Sequence, residues 1–197
     1  YDHLGMGGAG SSSRRQDTTA IHNGADDNAS GVSAMLEIAG QLNQDQSRLR
    51  RSIIVVAFGA EEMGLLGSKY FVDHSPVPLS RLSAMINLDM VGRLDTSKGI
   101  QVGGTGTSAE ADSLLRLSND PVGFRLSLSR EGSGPSDHSS FYGKNIPVFF
   151  ITTGAHTDYH TPDDDVERIN FDGLKKVTDF ACPLVFGIDA ENSMLTF

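Results

Sequence analysis

Three apolar runs each end in residues able to hold or activate a metal ion. Glu61-Glu62 follows Ile53-Ile54-Val55-Val56-Ala57-Phe58, Asp89 follows Met85-Ile86-Asn87-Leu88, and His156, Tyr159 and His160 follow Val148-Phe149-Phe150-Ile151. A fourth polar cluster, Asp26-Asp27-Asn28, stands just before a stretch of helical periodicity. Hard and borderline ions such as zinc take Asp or Glu oxygen together with His nitrogen, and keep an open position in catalytic sites. Two such ions a few ångströms apart share a bridging carboxylate and activate one water. Asp27, Glu62, Asp89 and His160 offer three carboxylates and one imidazole, which suits two divalent ions but is one ligand short of a comfortable pair. Glu61, beside a ligand, is a natural general base.

Each cluster also has a plainer use. Asp26 to Ser30 would cap a helix, since Asp, Asn and Ser accept bonds from free helical N–H groups. Adjacent glutamates suit a solvated turn, and Thr161-Pro162-Asp163-Asp164-Asp165 reads as a turn with local Asp bonds. His22, His156 and His160 could be ordinary loop histidines. The coincidence outweighs the separate readings, because a random surface has no reason to end three buried strands in ligand residue types. Open α/β sheets place their sites in the crevice outside the carboxyl ends of the strands.

The elements that must position these groups follow from periodicity. Val32, Met35, Leu36, Ala39 and Leu42 recur at helical spacing within a helix predicted from about 30 to 49. The β-branched run 53–58 predicts a strand covered on both faces. Further strands are expected near 84–88, 100–102, 124–128 and 148–151, and helices near 64–73, 109–117, 136–142 and 171–188. Residues 5–27, rich in Gly, Ser and polar groups, predict a long loop. The alternation favours an α/β fold of layered type in one unit spanning 1–197, with no internal repeat. The 197 residues carry 25 Asp+Glu against 16 Lys+Arg, a formal charge of −9, which argues against non-specific nucleic-acid binding. No apolar run approaches the roughly 20 residues of a bilayer crossing. The single cysteine, Cys182, forbids an internal disulfide and any cysteine-based zinc cage.

Taken in order, Gly24-Ala25-Asp26-Asp27-Asn28-Ala29-Ser30-Gly31, Ala60-Glu61-Glu62-Met63-Gly64-Leu65-Leu66-Gly67-Ser68, Asn87-Leu88-Asp89-Met90-Val91-Gly92, Ser136-Asp137-His138 and Tyr159-His160-Thr161-Pro162-Asp163-Asp164 form a recognisable series. It resembles the dinuclear-zinc aminopeptidases of the bacterial leucyl-aminopeptidase type, whose relatives include glutamate carboxypeptidase II and the glutaminyl cyclases. The resemblance runs from Tyr1 to about Asn170. It implies a three-layer α/β/α sandwich with a central mixed, mostly parallel sheet, two zinc ions per complete site, and a peptide substrate with a free N-terminus. By the same resemblance Asp27 bridges both ions, with Asp26 the alternative. Glu62 and His160 bind one ion, Asp89 binds the other, and Glu61 is the general acid/base. Tyr159 supports the tetrahedral intermediate, and Asp2 orients the first histidine ligand. A periplasmic or secreted setting is implied as well.

The start departs from the family pattern His-Tyr-Asp-His-Leu-Gly, whose first histidine is a ligand. Here the chain opens at Tyr1 without methionine or a signal-peptide pattern, and reads as a fragment or processed product. His3 is the motif's second histidine, and strand alternation turns it to the face opposite Asp2. The ligand before Tyr1, and the central strand carrying it, are expected from a second polypeptide, a partner copy or residues outside this sequence; His3 would substitute only if the start of the chain rearranged, and otherwise one ion is expected to be lost. Two other functions share the motifs. One is a single-zinc, glutaminyl-cyclase-like transferase using Asp27, Glu62 and His160, against which stand Asp89 and the lack of tryptophan for an aromatic pocket. The other is an inactive binding domain, against which stands the retention of all five site residues. Ser136-Asp137-His138 and the loop 132–135 are expected to shape the cleft or simply to cap a short helix, with Phe141 beneath it and Phe149 and Phe150 in the core.

Overall fold

The computed structural model describes residues 1–197. Short apolar segments pair into one sheet of β1 (Met85–Leu88), β2 (Ile100–Gly103), β3 (Leu126–Leu128) and β4 (Val148–Thr152), in the order β1-β4-β2-β3. β1 runs parallel to β4 with Met85 opposite Val148, and β2 runs parallel to β3. β2 and β4 are antiparallel, with Val102 opposite Ile151, so the sheet is mixed and mostly parallel.

Alternation along β4 divides the core in two. Phe149 and Ile151 point to the face covered by α1 (Gly31–Gln44), α3 (Ala111–Asn119) and α5 (Phe171–Ala190). There they pack with Ile38, Leu114, Leu115, Phe180 and Leu184. Val148 points to the other face, where Val72 of α2 (Leu66–Asp73) and Phe141 of α4 (His138–Tyr142) close a smaller cluster. Phe149 and Phe180 are fully buried, and each such side chain contributes about 1.5–3 kcal/mol. The layers are those of an α/β/α sandwich. No helix is long and apolar enough to cross a membrane.

One expected strand does not form. Ile53–Phe58 carries no regular secondary structure, and none of its N–H groups has a backbone partner. Ile53, Ile54 and Val55 are 39%, 44% and 46% exposed rather than covered on both faces. β-branched residues favour a strand only where a neighbour pairs the backbone and packs the side chains. Here the sole bond along the run is donated by the Tyr1 ammonium to the Phe58 carbonyl, at 2.6 Å.

Candidate metal centre

The loop before α1 is pinned to the carboxyl end of β1 by one side chain. Asn28 Nδ2 donates to the Leu88 carbonyl at 2.9 Å, and Asn28 Oδ1 accepts from the Gly31 and Met90 amides. A Cβ at Gly31 would lie 2.3 Å from the Leu88 oxygen, so only glycine lets α1 start this close to the strand. Asp164, fully buried, holds the same loop from the other side, its Oδ2 accepting from the Asp26 and Asp27 amides at 2.9 and 3.0 Å. Arg93 offsets its charge, with Nη2 donating to Asp164 at 3.2 Å and to Asp158 at 2.9 Å.

This framework separates the two adjacent aspartates. Asp26 turns inward, where Oδ1 accepts from the Gly92 amide at 2.6 Å and Oδ2 meets His156 Nε2 at 3.1 Å. Asp27 turns to the cleft, with Oδ2 3.2 Å from His160 Nε2. Glu62 Oε1 lies 3.0 Å from the same nitrogen. His160 Nδ1 faces the Ser12 carbonyl at 2.9 Å; donating its proton there leaves Nε2 bare toward the carboxylates, as a metal ligand requires. Three of the expected ligands therefore converge. Asp89 follows β1 as expected, and its Oδ1 is buried with no hydrogen-bond partner. Asp2 Oδ2 accepts from the Ala60 amide at 2.7 Å, while its Oδ1 is likewise buried and unpartnered. His3 differs from expectation: instead of turning away, its Nδ1 stands 3.1 Å from Glu62 and 3.8 Å from Asp27. The chain after it curls through the turn at Gly5 and Met6 rather than continuing as a strand, so alternation does not govern its side chain.

Burial and neighbouring charges of both signs set the protonation states. Burial, then Asp89, Glu62, Asp137 and Asp27, push Glu61 up to about 8. Burial and the neighbouring Asp27 carry Asp89 to about 7. For Glu62 burial acts upward, but His160 and His3 beside it outweigh that and bring it to about 2. Burial lowers His160, yet Asp27 and Glu62 raise it to about 10. The Tyr159 ring stacks on His160 with centroids 3.8 Å apart, and burial plus four carboxylates keep its hydroxyl protonated far above neutrality. The residues fit a divalent cation: mixed oxygen and nitrogen donors converge, and buried carboxylate and imidazole atoms lack any protein partner.

Some supporting residues lay outside the sequence reading. Thr161–Asp165 does form a local turn, with the Thr161 hydroxyl donating to the Asp158 carbonyl, but Asp164 reaches across to the Asp27 loop. Its signals were its place in an acidic run and at the end of the Tyr159-to-Asp164 motif, neither of which gives it this partner. Ser136, Asp137 and His138 are buried beside β1, with Asn87 Nδ2 donating to Ser136 at 2.7 Å, and His138 stacks on Phe150. Phe141 packs against Phe58. His22 is an ordinary loop histidine bonded to Ser13 and the Ala20 carbonyl.

Known proteins resemble this chain in sequence and in fold. Aminopeptidase YwaD of Bacillus subtilis (strain 168) is 37% identical over 179 residues, which cover 86% of this chain and 39% of YwaD. BSAP, a zinc aminopeptidase from Bacillus subtilis, superposes with TM-score 0.73 at 33% identity, covering 91% of this chain and 47% of BSAP. The LapA aminopeptidase of Legionella pneumophila superposes with TM-score 0.77 at 25% identity, covering 90% of this chain and 50% of LapA. The chain thus spans half or less of the length of each. The family model for Peptidase family M28 matches residues 1–185, and the chain belongs to that family.

Proposed function

We propose that residues 1–197 form the catalytic domain of a zinc-dependent aminopeptidase that removes N-terminal amino acids from peptides. The observation that carries this reading is the convergence of Asp27 and Glu62 on His160 Nε2, at 3.2 and 3.0 Å, with half-buried Glu61 next to Glu62 in the chain. Asp27, Glu62 and His160 would hold one ion, and Asp27 with Asp89 the other. When bound, such ions acidify a water and polarise the scissile carbonyl. Glu61 takes a proton from the attacking water and returns it to the leaving amine, a role suited to a group titrating near the working pH. The Tyr159 hydroxyl, kept protonated, donates to the developing oxyanion. The acidic cleft attracts the substrate's α-ammonium group. Asp2, with one oxygen fixed by Ala60 and one free, orients the histidine that the family resemblance puts immediately before Tyr1. The unpaired backbone of Ile53–Phe58 offers an edge to a strand carrying that histidine, supplied by preceding residues, a second copy or another polypeptide.

The decisive test is Glu61→Gln, which should retain bound zinc but lose about 10²–10⁴-fold in release of a leucyl chromophore. Near-unchanged turnover would overturn the general-base role. The single-ion, cyclase-like alternative is favoured by one observation, the approach of both Asp27 and Glu62 to the one nitrogen His160 Nε2, at 3.2 and 3.0 Å. Cyclisation of N-terminal glutamine peptides, with no leucyl release, would establish it instead.

A further inference from the structure

The turn that carries Tyr159 and His160 is held from behind by side chains that the proposed reaction does not use. His160 has a φ of +56°, the left-handed region that a residue with a Cβ rarely adopts. Such a conformation persists only where the surroundings over-determine it. On one side the opening loop grips the residue itself: the Ser12 carbonyl faces Nδ1 at 2.9 Å, and the Arg14 amide donates to the His160 carbonyl at 2.9 Å. On the other side the grip is indirect and runs through His156. Its Nε2 meets Asp26 Oδ2 at 3.1 Å, and since a carboxylate only accepts, Nε2 carries the hydrogen. Asp26 is fully buried, and its Oδ1 is already fixed by the Gly92 amide at 2.6 Å. His156 Nδ1 is buried with no partner, so the bond to Asp26 is the only hydrogen bond that orients the ring.

Backbone bonds pass that anchoring on to the site. The Tyr159 amide donates to the His156 carbonyl at 3.3 Å and the Thr161 amide to the Asp158 carbonyl at 3.0 Å, closing two overlapping turns around His160. Asp158 is itself tied to Arg93 at 2.9 Å. Tyr159 stacks on His160 at 3.8 Å, so a tilt of one ring displaces the other. Asp26 is the chain neighbour of Asp27, and its bond to His156 therefore ties the His160 turn to the loop that bears the cleft carboxylate. We propose that His156, anchored on Asp26, is a positioning residue that aims His160 Nε2 and the Tyr159 hydroxyl into the cleft beside Asp27. This rests on the reading of the cleft as a metal centre. His156 acts through the turn and is a ligand of neither metal nor substrate.

His156→Phe keeps a ring but cannot donate to Asp26, whereas His156→Gln can. The 197-residue chain and both variants are each loaded with cobalt(II), whose visible absorption reports ligand geometry. In His156→Phe the cobalt band should shift, cobalt affinity should fall about 10-fold, and kcat for leucyl release should fall about 10–100-fold with KM nearly unchanged. His156→Gln should recover the band and bring affinity to within about threefold of the unaltered chain. A lower melting temperature with unchanged band and affinity would make His156 a packing residue and overturn the proposal. So would a His156→Gln chain that behaves like His156→Phe. Long-range proton–nitrogen NMR spectra of the unaltered, metal-free protein test the anchor whether or not the variants fold. Hydrogen on Nε2 of His156 supports it, and hydrogen on Nδ1 alone overturns it. Failure of the unaltered chain to bind cobalt overturns both this proposal and the reading beneath it. Cobalt bound without leucyl release counts against the aminopeptidase reading alone, and band and affinity still decide the role of His156.

Discussion

Two strand-like segments of similar composition behave in opposite ways. Val148–Thr152 is paired on both sides, packed on both faces and nearly sealed from water. Ile53–Phe58 is just as rich in β-branched residues, but it has no ladder bonds and three of its apolar side chains lie open to solvent. Beside it an open cleft is lined by Leu42, Leu49, Ile53 and Val55. Strand propensity describes how well a side chain fits a half-buried pleated surface; it does not create the surface. The candidate metal centre lies at the carboxyl end of the packed region, whereas the open flank contributes Glu61-Glu62 only through the turn that follows it.

The sharpest break in this contrast comes from Asp164→Ala. It strips the Asp26 and Asp27 amides of their buried acceptor and leaves Arg93 with one carboxylate fewer, at a cost of roughly 3–5 kcal/mol by urea unfolding. A cost below 1 kcal/mol would mean the metal loop is held no more firmly than the flank. Ile151→Ala in the packed strand should cost roughly 2–5 kcal/mol, since the residue is fully buried.

Buried His138, stacked on Phe150 at a centroid distance of 4.4 Å, separates the two regions by pH. Burial pulls its pKa from 6.5 to about 4, so the unfolded chain binds the extra proton first. Its contribution is complete above pH 6.5 and is lost as pH falls toward 4, a change of about 3 kcal/mol at about 1.4 kcal/mol per pKa unit. His138→Phe keeps the stacking and should flatten the stability profile across that window by this amount. Metal uptake gives a smaller slope. With its pKa near 10, His160 is protonated in the metal-free protein at pH 7 and must release that proton to bind. Calorimetry in buffers of different ionisation enthalpy should register at least one proton released per zinc, and affinity rising about tenfold per pH unit on this account. The smallest effect belongs to the flank, where Ile54→Ala should change stability by less than about 0.5 kcal/mol. A loss comparable with that of Ile151→Ala would show that the flank is packed in solution.

The helices and the four paired strands were legible within a few residues, because their apolar periodicity matches the surfaces they bury. Asp27, Glu61, Glu62, Asp89 and His160 were legible as candidates because each follows an apolar run or precedes a helix in a fixed order. Asp164 was not, since a carboxylate in an acidic turn looks the same whether it faces water or spans to residues 138 positions away.

What the sequence by itself determined is the family, the order of layers and the candidate ligand types, all written in local pattern. Tertiary structure decided which of Asp26 and Asp27 faces the cleft, that His3 joins the carboxylates, and that Ile53–Phe58 stays unpaired. Each of those outcomes depends on which distant group supplies a hydrogen bond, a charge or a neighbouring strand, and periodicity carries no information about that.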